Sequence, residues 1–248
     1  MIGDSLHRGG ALAYSSHMPE RALGLLDIFG PVMIGPSSSH TAGVARIAFL
    51  ARKIHGGPFD HARVLFHGSL ASTWKGHGSD KAAIAGLLGI LPEDERLTFA
   101  PELARREGLD IELVPVFDGP ERYHPNTVII ELSSGERRTR VRGASVGGGK
   151  VRLQSINGFK TELDGALEAI LVLHQDTRGV IAGVAAILAA WGFNIASMTS
   201  HRTDKGDLAL LVVEVDGLVA SGVIPALGGV MGVKDVVYVP SASGGGRS

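Results

Sequence analysis

The last third of the chain restricts its possible folds most. The segments EAILVLHQ, GVIAGVAAILAAWG, IASMTSHRTD, DLALLVVEVD, GVIPALGGV and KDVVYVP follow one another with short breaks between them. Val- and Ile-rich runs of strand length alternate with helical stretches, and this predicts the order βαββαβ. The two middle strands meet at Lys205-Gly206, a turn signal. Elements in that order build a ferredoxin-like sandwich over residues 168–240, with both helices on one face of an antiparallel sheet. The other face then needs cover from a second copy or another surface.

Upstream the pattern is mixed α/β. Residues 1–18 and 241–248 lack periodicity and are expected to be mobile tails. Pro19 and Glu20 open a short helix through Leu23, Leu26 and Asp27, broken at Gly30-Pro31 and Gly35-Pro36, and a new helix starts within SSSHTAGVARIAFLARKI. ARVLFHG reads as a strand, SLASTWKGHGS as a loop, and DKAAIAGLLGIL as a helix with Asp80 in its first turn and Pro92 at its end. LDIELVPVF and NTVIIELSS are strand candidates joined by DGPERYHP, and ERRTRVRGAS is the return strand of a hairpin turned at Ser134-Gly135. The division is therefore a first domain over 19–155, a polar Gly-containing linker over 156–167 and a second domain over 168–240.

Composition bounds the chemistry. The 248 residues carry 24 Lys+Arg against 25 Asp+Glu, a balance that gives no electrostatic reason to expect a nucleic-acid partner. The chain has no cysteine, so it forms no disulfide and supplies no thiolate to a zinc or iron-sulfur centre. The N-terminal stretch lacks the apolar core of a secretory signal and no apolar run reaches the ~18 residues of a membrane helix, so the cytoplasm is the expected location and no membrane partner is expected. Ten histidines are present, but none forms the HExxH arrangement, and GxSxG, Walker A and GxGxxG patterns are absent.

Four polar loops stand out. In IGPSSSHTAG (34–43), Ser37, Ser38 and Ser39 present hydroxyls and backbone N–H groups at a helix start, where a small anion is favoured, and His40 and Thr41 follow. An ordinary serine cap produces the same local pattern. In KGHGSD (75–80), Gly76 and Gly78 flank His77, exposing an imidazole suited to proton transfer near neutral pH, or simply a histidine on a flexible loop. YHPNT (123–127) and GASVGGGK (143–150) are less specific alone, and the latter's glycines suit either an anion-binding nest or an interdomain hinge.

In order, GPSSSHTAG, HGSLASTWKGHGSDKA, HPNT and GASVGGGK resemble the motif series of iron-sulfur-dependent L-serine dehydratase beta chains, and the C-terminal pattern resembles an ACT domain. The first region also resembles the allosteric substrate-binding domain of some phosphoglycerate dehydrogenases. Trp74 and Ser79 depart from the family, which more usually has a different residue before the Lys/Arg-Gly-His step and Thr after it; neither departure moves the histidine. The resemblance implies an alpha subunit holding a 4Fe–4S cluster on its own cysteines, and a beta chain that lends polar groups to a shared site converting L-serine to pyruvate and ammonia. An open iron would polarise the substrate hydroxyl while a positioned base takes the Cα proton.

By motif match, Ser37, Ser38, Ser39, His40 and Thr41 surround the substrate, His77 is the first candidate for base and His40 the second. Asp80 is expected to orient His77, and Asn126 to hold substrate or a loop. In the ACT-like part, His174, Asp176, Arg178 and Gly179 turn into a helix start and Asn194 lies where the second strand begins. These five are expected either to bind an effector or to shape a self-association interface. The rival readings are a non-catalytic amino-acid sensor and a purely structural oligomerisation subunit.

Overall fold

The computed structural model describes residues 37–118, 120 and 123–242. The helix expected from Pro19, the breaks at Gly30-Pro31 and Gly35-Pro36, and the tail residues 1–18 and 243–248 lie outside the described residues.

The first domain is a six-stranded sheet with helices packed on one face. Helix α1 (Gly43–His55) is apolar around most of its circumference, burying Val44, Ile47, Ala48, Leu50, Ala51 and Ile54. It can be so because α3 (Ser79–Leu87) lies on one side and the sheet on the other. Gly56, with φ +73°, ends α1 in a left-handed cap whose N–H donates to the Arg52 carbonyl. Strand β1 (His61–His67) is followed by α2 (Ser69–Thr73), a short helix inside the stretch expected as loop. Helix α3 stops at Leu87, well before Pro92, because Gly89 at φ +79° reverses the chain first. After α4 (Ala100–Arg106), β2 (Asp110–Val116) runs parallel to β1, and β3 (Thr127–Ser134) pairs antiparallel to β1 on its other side. The two strands joined by DGPERYHP are thus separated by β1.

Strand β4 (Arg137–Gly147) returns from the expected hairpin at Ser134-Gly135, and β5 (Lys150–Ile156) and β6 (Phe159–Leu163) complete the order β2-β1-β3-β4-β5-β6. Residues 156–167, expected as linker, therefore contain a strand of the first sheet. Its alternation is clear, with Thr161 and Leu163 buried and Lys160 and Glu162 exposed, but a five-residue edge strand between Gly-containing turns is hard to distinguish from polar coil in sequence. The GASVGGGK glycines form the β4–β5 hairpin tip, with Gly147, Gly148 and Gly149 all at positive φ, and Arg46 donates to the Gly149 carbonyl at 2.7 Å. They are a turn inside one domain, not an interdomain hinge.

The second domain follows the predicted βαββαβ order: β7 (Glu168–Gln175), α5 (Val180–Ala190), β8 (Ile195–Arg202), β9 (Leu208–Val215), α6 (Val223–Gly228) and β10 (Val233–Val239). The antiparallel order is β10-β7-β9-β8. Ile170, Val172, Leu211 and Val213 face the helices and pack on Val184, Leu188, Val223 and Leu227. The opposite face, carrying Ala169, Leu171, Leu210, Val212 and Val239, joins the core of the first domain. The required cover is thus provided, at least in part, by the chain itself. Ala242, expected in a mobile tail, is buried, with its N–H donating to the Gly165 carbonyl at 2.8 Å.

Candidate active site

Gly68 ends β1 at φ 59°, ψ −127°, a conformation that disfavours any side chain, and a Cβ there would lie 2.4 Å from the Pro125 carbonyl oxygen. This close approach seats the HPNT loop on the start of α2. Ser69 N–H donates to the Pro125 carbonyl at 2.8 Å and its hydroxyl to Asn126 Oδ1 at 2.5 Å. Asn126 in turn donates from Nδ2 to the Ser145 carbonyl at 3.4 Å, and Ser145 N–H returns a bond to the Asn126 carbonyl. Of the two roles expected for Asn126, holding a loop is the one these contacts describe.

The serine-rich loop enters α1 through a π-turn, Ser38–Ala42, a wide turn common at functional sites, capped by the Ser37 hydroxyl accepting from His40 N–H. His40 Nδ1 lies 3.2 Å from the Ser37 hydroxyl and 3.5 Å from that of Ser39, and its Nε2 lies 3.3 Å from the Ser69 hydroxyl. Since Ser69 gives its proton to Asn126, Nε2 is the donor to Ser69 and Nδ1 accepts from the serines. A neutral imidazole satisfies all of these contacts. Burial, and then the neighbouring His77, hold the His40 pKa below its usual value, with Asn126 acting in the opposite direction.

Two hydroxyl-to-carbonyl bonds clasp the first two motifs together. Thr41 Oγ1 donates to the His77 carbonyl at 2.8 Å, and Ser79 Oγ to the His40 carbonyl at 2.7 Å. Both residues are essentially inaccessible. Thr41, expected against substrate, is therefore a positioning residue, and Ser79 is another that sequence reasoning passed over. The clasp brings the His40 and His77 rings to 4.8 Å between centroids. Neither ring nitrogen of His77 has a hydrogen bond among the described residues, and its Nδ1 is buried. Asp80 does not orient it: no bond joins the two, and Asp80 Oδ1 is also buried without a partner among the described residues. Trp74 stacks on Phe66 at 5.5 Å, beneath Lys75, so the family departure at this position is absorbed by core packing.

Sequence reasoning missed Ser69 and Gly68. A glycine at the end of a strand followed by Ser at a helix start is a recognisable signal, but only the fold places it against His40. Ser37, Ser39, His40, His77, Ser69 and Asn126 form one cluster, and Ser38 is half-buried in its π-turn.

The residues expected to form an effector site are not brought together. Gln175 pairs with Leu208 at one end of β9, whereas Asn194 binds Asp216 beyond the other end, through Nδ2 to Oδ2 at 2.6 Å. Eight residues of strand separate these ends by roughly 26 Å. Asp176 closes the β8–β9 turn, accepting from Gly206 N–H and Arg202, and these bonds hold its carboxyl below the usual range. His174 is buried with Nδ1 donating to the Gln175 carbonyl, Gly179 at φ +92° precedes α5, and Arg178 is exposed.

Folding favours the neutral form of three histidines. His55 and His67, like His40, have pKa values lowered chiefly by burial, with Arg137 and Arg140 adding to it at His55 and His67 respectively. The unfolded chain binds more protons as pH falls through the ordinary value of 6.5, so stability conferred above that value is lost progressively below it. The urea midpoint is expected to be lower at pH 5.5 than at pH 7.5, and His67→Gln to reduce that difference. An unchanged midpoint across this range would contradict the assignment.

Fold and site together define a chain that joins a loop-built, histidine-centred polar site to a C-terminal ACT domain, the ACT family matching residues 169–230. Residues 24–156 match the serine dehydratase beta chain family, and the chain belongs to that family. It is 47% identical over 197 residues to a probable L-serine dehydratase beta chain of Bacillus subtilis (strain 168), covering 77% of this chain and 86% of that protein. It is 37% identical over 215 residues to the L-serine dehydratase beta chain of Peptoniphilus asaccharolyticus, covering 86% and 96%. A D-3-phosphoglycerate dehydrogenase of Synechocystis is 23% identical over 191 residues, covering 77% of this chain and 34% of that protein.

Proposed function

We propose that this chain is the beta subunit of a cytoplasmic L-serine dehydratase, sharing its active site with a cluster-bearing alpha subunit and converting L-serine to pyruvate and ammonia. The observation that carries the assignment of roles is the contrast between the paired histidines. His40 has both ring nitrogens engaged, whereas His77, 4.8 Å away, has neither. His77 is the base that takes the Cα proton, and Ser37, Ser38 and Ser39, held in place through His40, bind and orient the carboxylate and amine. The electron pair left at Cα forms the Cα–Cβ double bond as the Cβ–O bond breaks, and the departing hydroxide takes up the proton carried by His77 and leaves as water. The resulting aminoacrylate tautomerises to an imine that hydrolyses to pyruvate and ammonia.

The chain has no cysteine, and no group of three or more His, Asp or Glu suited to a metal occurs among the described residues. These residues do not fit a 4Fe–4S cluster, so its ligands belong to the alpha subunit. The ACT domain is read as the self-association and effector-sensing part, with the His174–Gly179 turn as its first candidate site and Asn194 as a separate position.

The test is anaerobic co-expression with the candidate alpha chain and assay of pyruvate release from L-serine. Activity only when both chains are present supports a shared site. Full activity from the alpha chain alone would overturn it and favour a non-catalytic sensor, a reading that the similarity to a phosphoglycerate dehydrogenase supports.

A further inference from the structure

The geometry points to a second binding site, for a small polyanion, in the pocket where β5 and β6 of the first domain meet β8 of the ACT domain. The pocket encloses about 590 Å³, within the size range of small-molecule sites, and lies at a domain boundary where such sites are common. Arg142, Arg152, Lys160 and His201 line it together with Thr161 and a single carboxylate, Glu162.

Three features separate this pocket from an ordinary charged surface. Arg142, Arg152 and Lys160 form no ion pair among the described residues, a state they share with Arg52, Arg106, Arg138 and Arg178, but here three such groups line one concavity. The chain as a whole carries a formal charge of −1, so the concentration of positive charge is local. Finally, Arg142 Nε and the Thr161 hydroxyl are buried without a hydrogen-bond partner among the described residues, a cost that a bound acceptor in the pocket would offset. Uncompensated guanidinium and ammonium groups around one concavity are the recognition chemistry of phosphate and carboxylate oxygens.

The position also gives the ligand a physical route to the histidine cluster. Arg142 lies over the Tyr123 ring at 4.8 Å and donates to its hydroxyl at 3.2 Å. Tyr123 meets the His67 ring edge-on at 5.5 Å, and His67 is the last residue of β1, directly before Gly68 and Ser69. An anion that draws Arg142 toward Arg152 and Lys160 acts on that stack while bridging the two domains.

The experiment is calorimetric titration of the full chain with inorganic phosphate, at ionic strength held constant with chloride. Saturable binding is expected, weakened by about tenfold or more in the double variant Arg152→Gln, Lys160→Gln. Glu162→Gln is expected to tighten binding, and Arg105→Gln, on α4, to leave it unchanged. Both cationic side chains are exposed, so their removal leaves the core intact. Parallel titrations with malonate distinguish a phosphate-type from a dicarboxylate ligand, and binding of either supports the site. No saturable binding of either anion, or equal affinity in the double variant, would overturn it. The readout is binding alone, so its failure is distinct from failure of the dehydratase reading.

Discussion

His77→Ala is expected to lower kcat of the proposed alpha–beta dehydratase by about 10²- to 10⁴-fold, the usual contribution of a positioned general base. The expectation follows from the hydrogen-bond inventory around the two rings. His40 is a strut, its Nδ1 accepting from Ser37 and Ser39 and its Nε2 donating to Ser69, so its ring keeps no free nitrogen for the substrate and it acts through the serines it holds. Among the described residues the hydrogen bonds of His77 are all made by its backbone, the carbonyl accepting from the Thr41 hydroxyl and the N–H donating to the Thr73 carbonyl at 3.0 Å, which leaves its ring for chemistry. If Cα–H cleavage becomes fully rate-limiting in His77→Ala, the isotope effect with Cα-deuterated serine rises toward its intrinsic value. His40→Ala is expected to raise KM with a smaller loss of kcat, because it dismantles the serine cluster rather than the proton transfer. Steady-state pyruvate release with purified subunits separates these outcomes. A kcat within a few fold of wild type for His77→Ala would remove it as the base.

Gly86→Ala is expected to destabilise the fold by roughly 3 kcal/mol, among the larger costs of overpacking. Gly86 lies where α3 crosses α1, and a Cβ there would sit 2.2 Å from the Ala45 carbonyl oxygen, 2.6 Å from Ala48 Cβ and 2.8 Å from Phe49 N. These are backbone and Cβ atoms of a buried helix, so no rotamer change relieves the clash. For a chain of this length the loss corresponds to a fall of roughly 6 to 12 °C in Tm. Gly57→Ala is the control: a Cβ there meets nothing within 4 Å, and its effect is expected to stay within roughly 0.5 kcal/mol. Equal Tm values for the two variants would show that α1 and α3 separate more readily than their packing implies. The consequence reaches the site, because α3 begins at Ser79, which holds the His40 carbonyl.

Much of this was legible in the residues. Hydrophobic spacing gave the ACT order because each of its strands and helices carries its own period, and short turns leave few alternative pairings. The SSSHT and GHGSD loops stood out because glycine and hydroxyl residues cluster at helix starts. The placement of β2 beside β1 was not legible, since strand pairing is a contact between distant residues and the sequence shows only that β2 and β3 are joined by the DGPERYHP loop, not that β1 lies between them. Strand β6 was lost for a related reason: its five residues become a strand only when β5 supplies hydrogen bonds along one side.

By itself, then, the sequence determined the element periods, the breaks at glycine, the inability of a cysteine-free chain to ligate a cluster through thiolates, and the loops that carry polar chemistry. These are local properties, set by side-chain type and backbone preference. Tertiary structure alone decided that Ser69 and Asn126 complete the surroundings of His40, that Thr41 and Ser79 clasp rather than bind, that Asp80 leaves His77 alone, and that Asn194 lies far from the Asp176 turn. Each depends on where separate loops end in space, and that is fixed by the packing of α1, α3 and two sheets into one core rather than by any neighbouring residue in the chain.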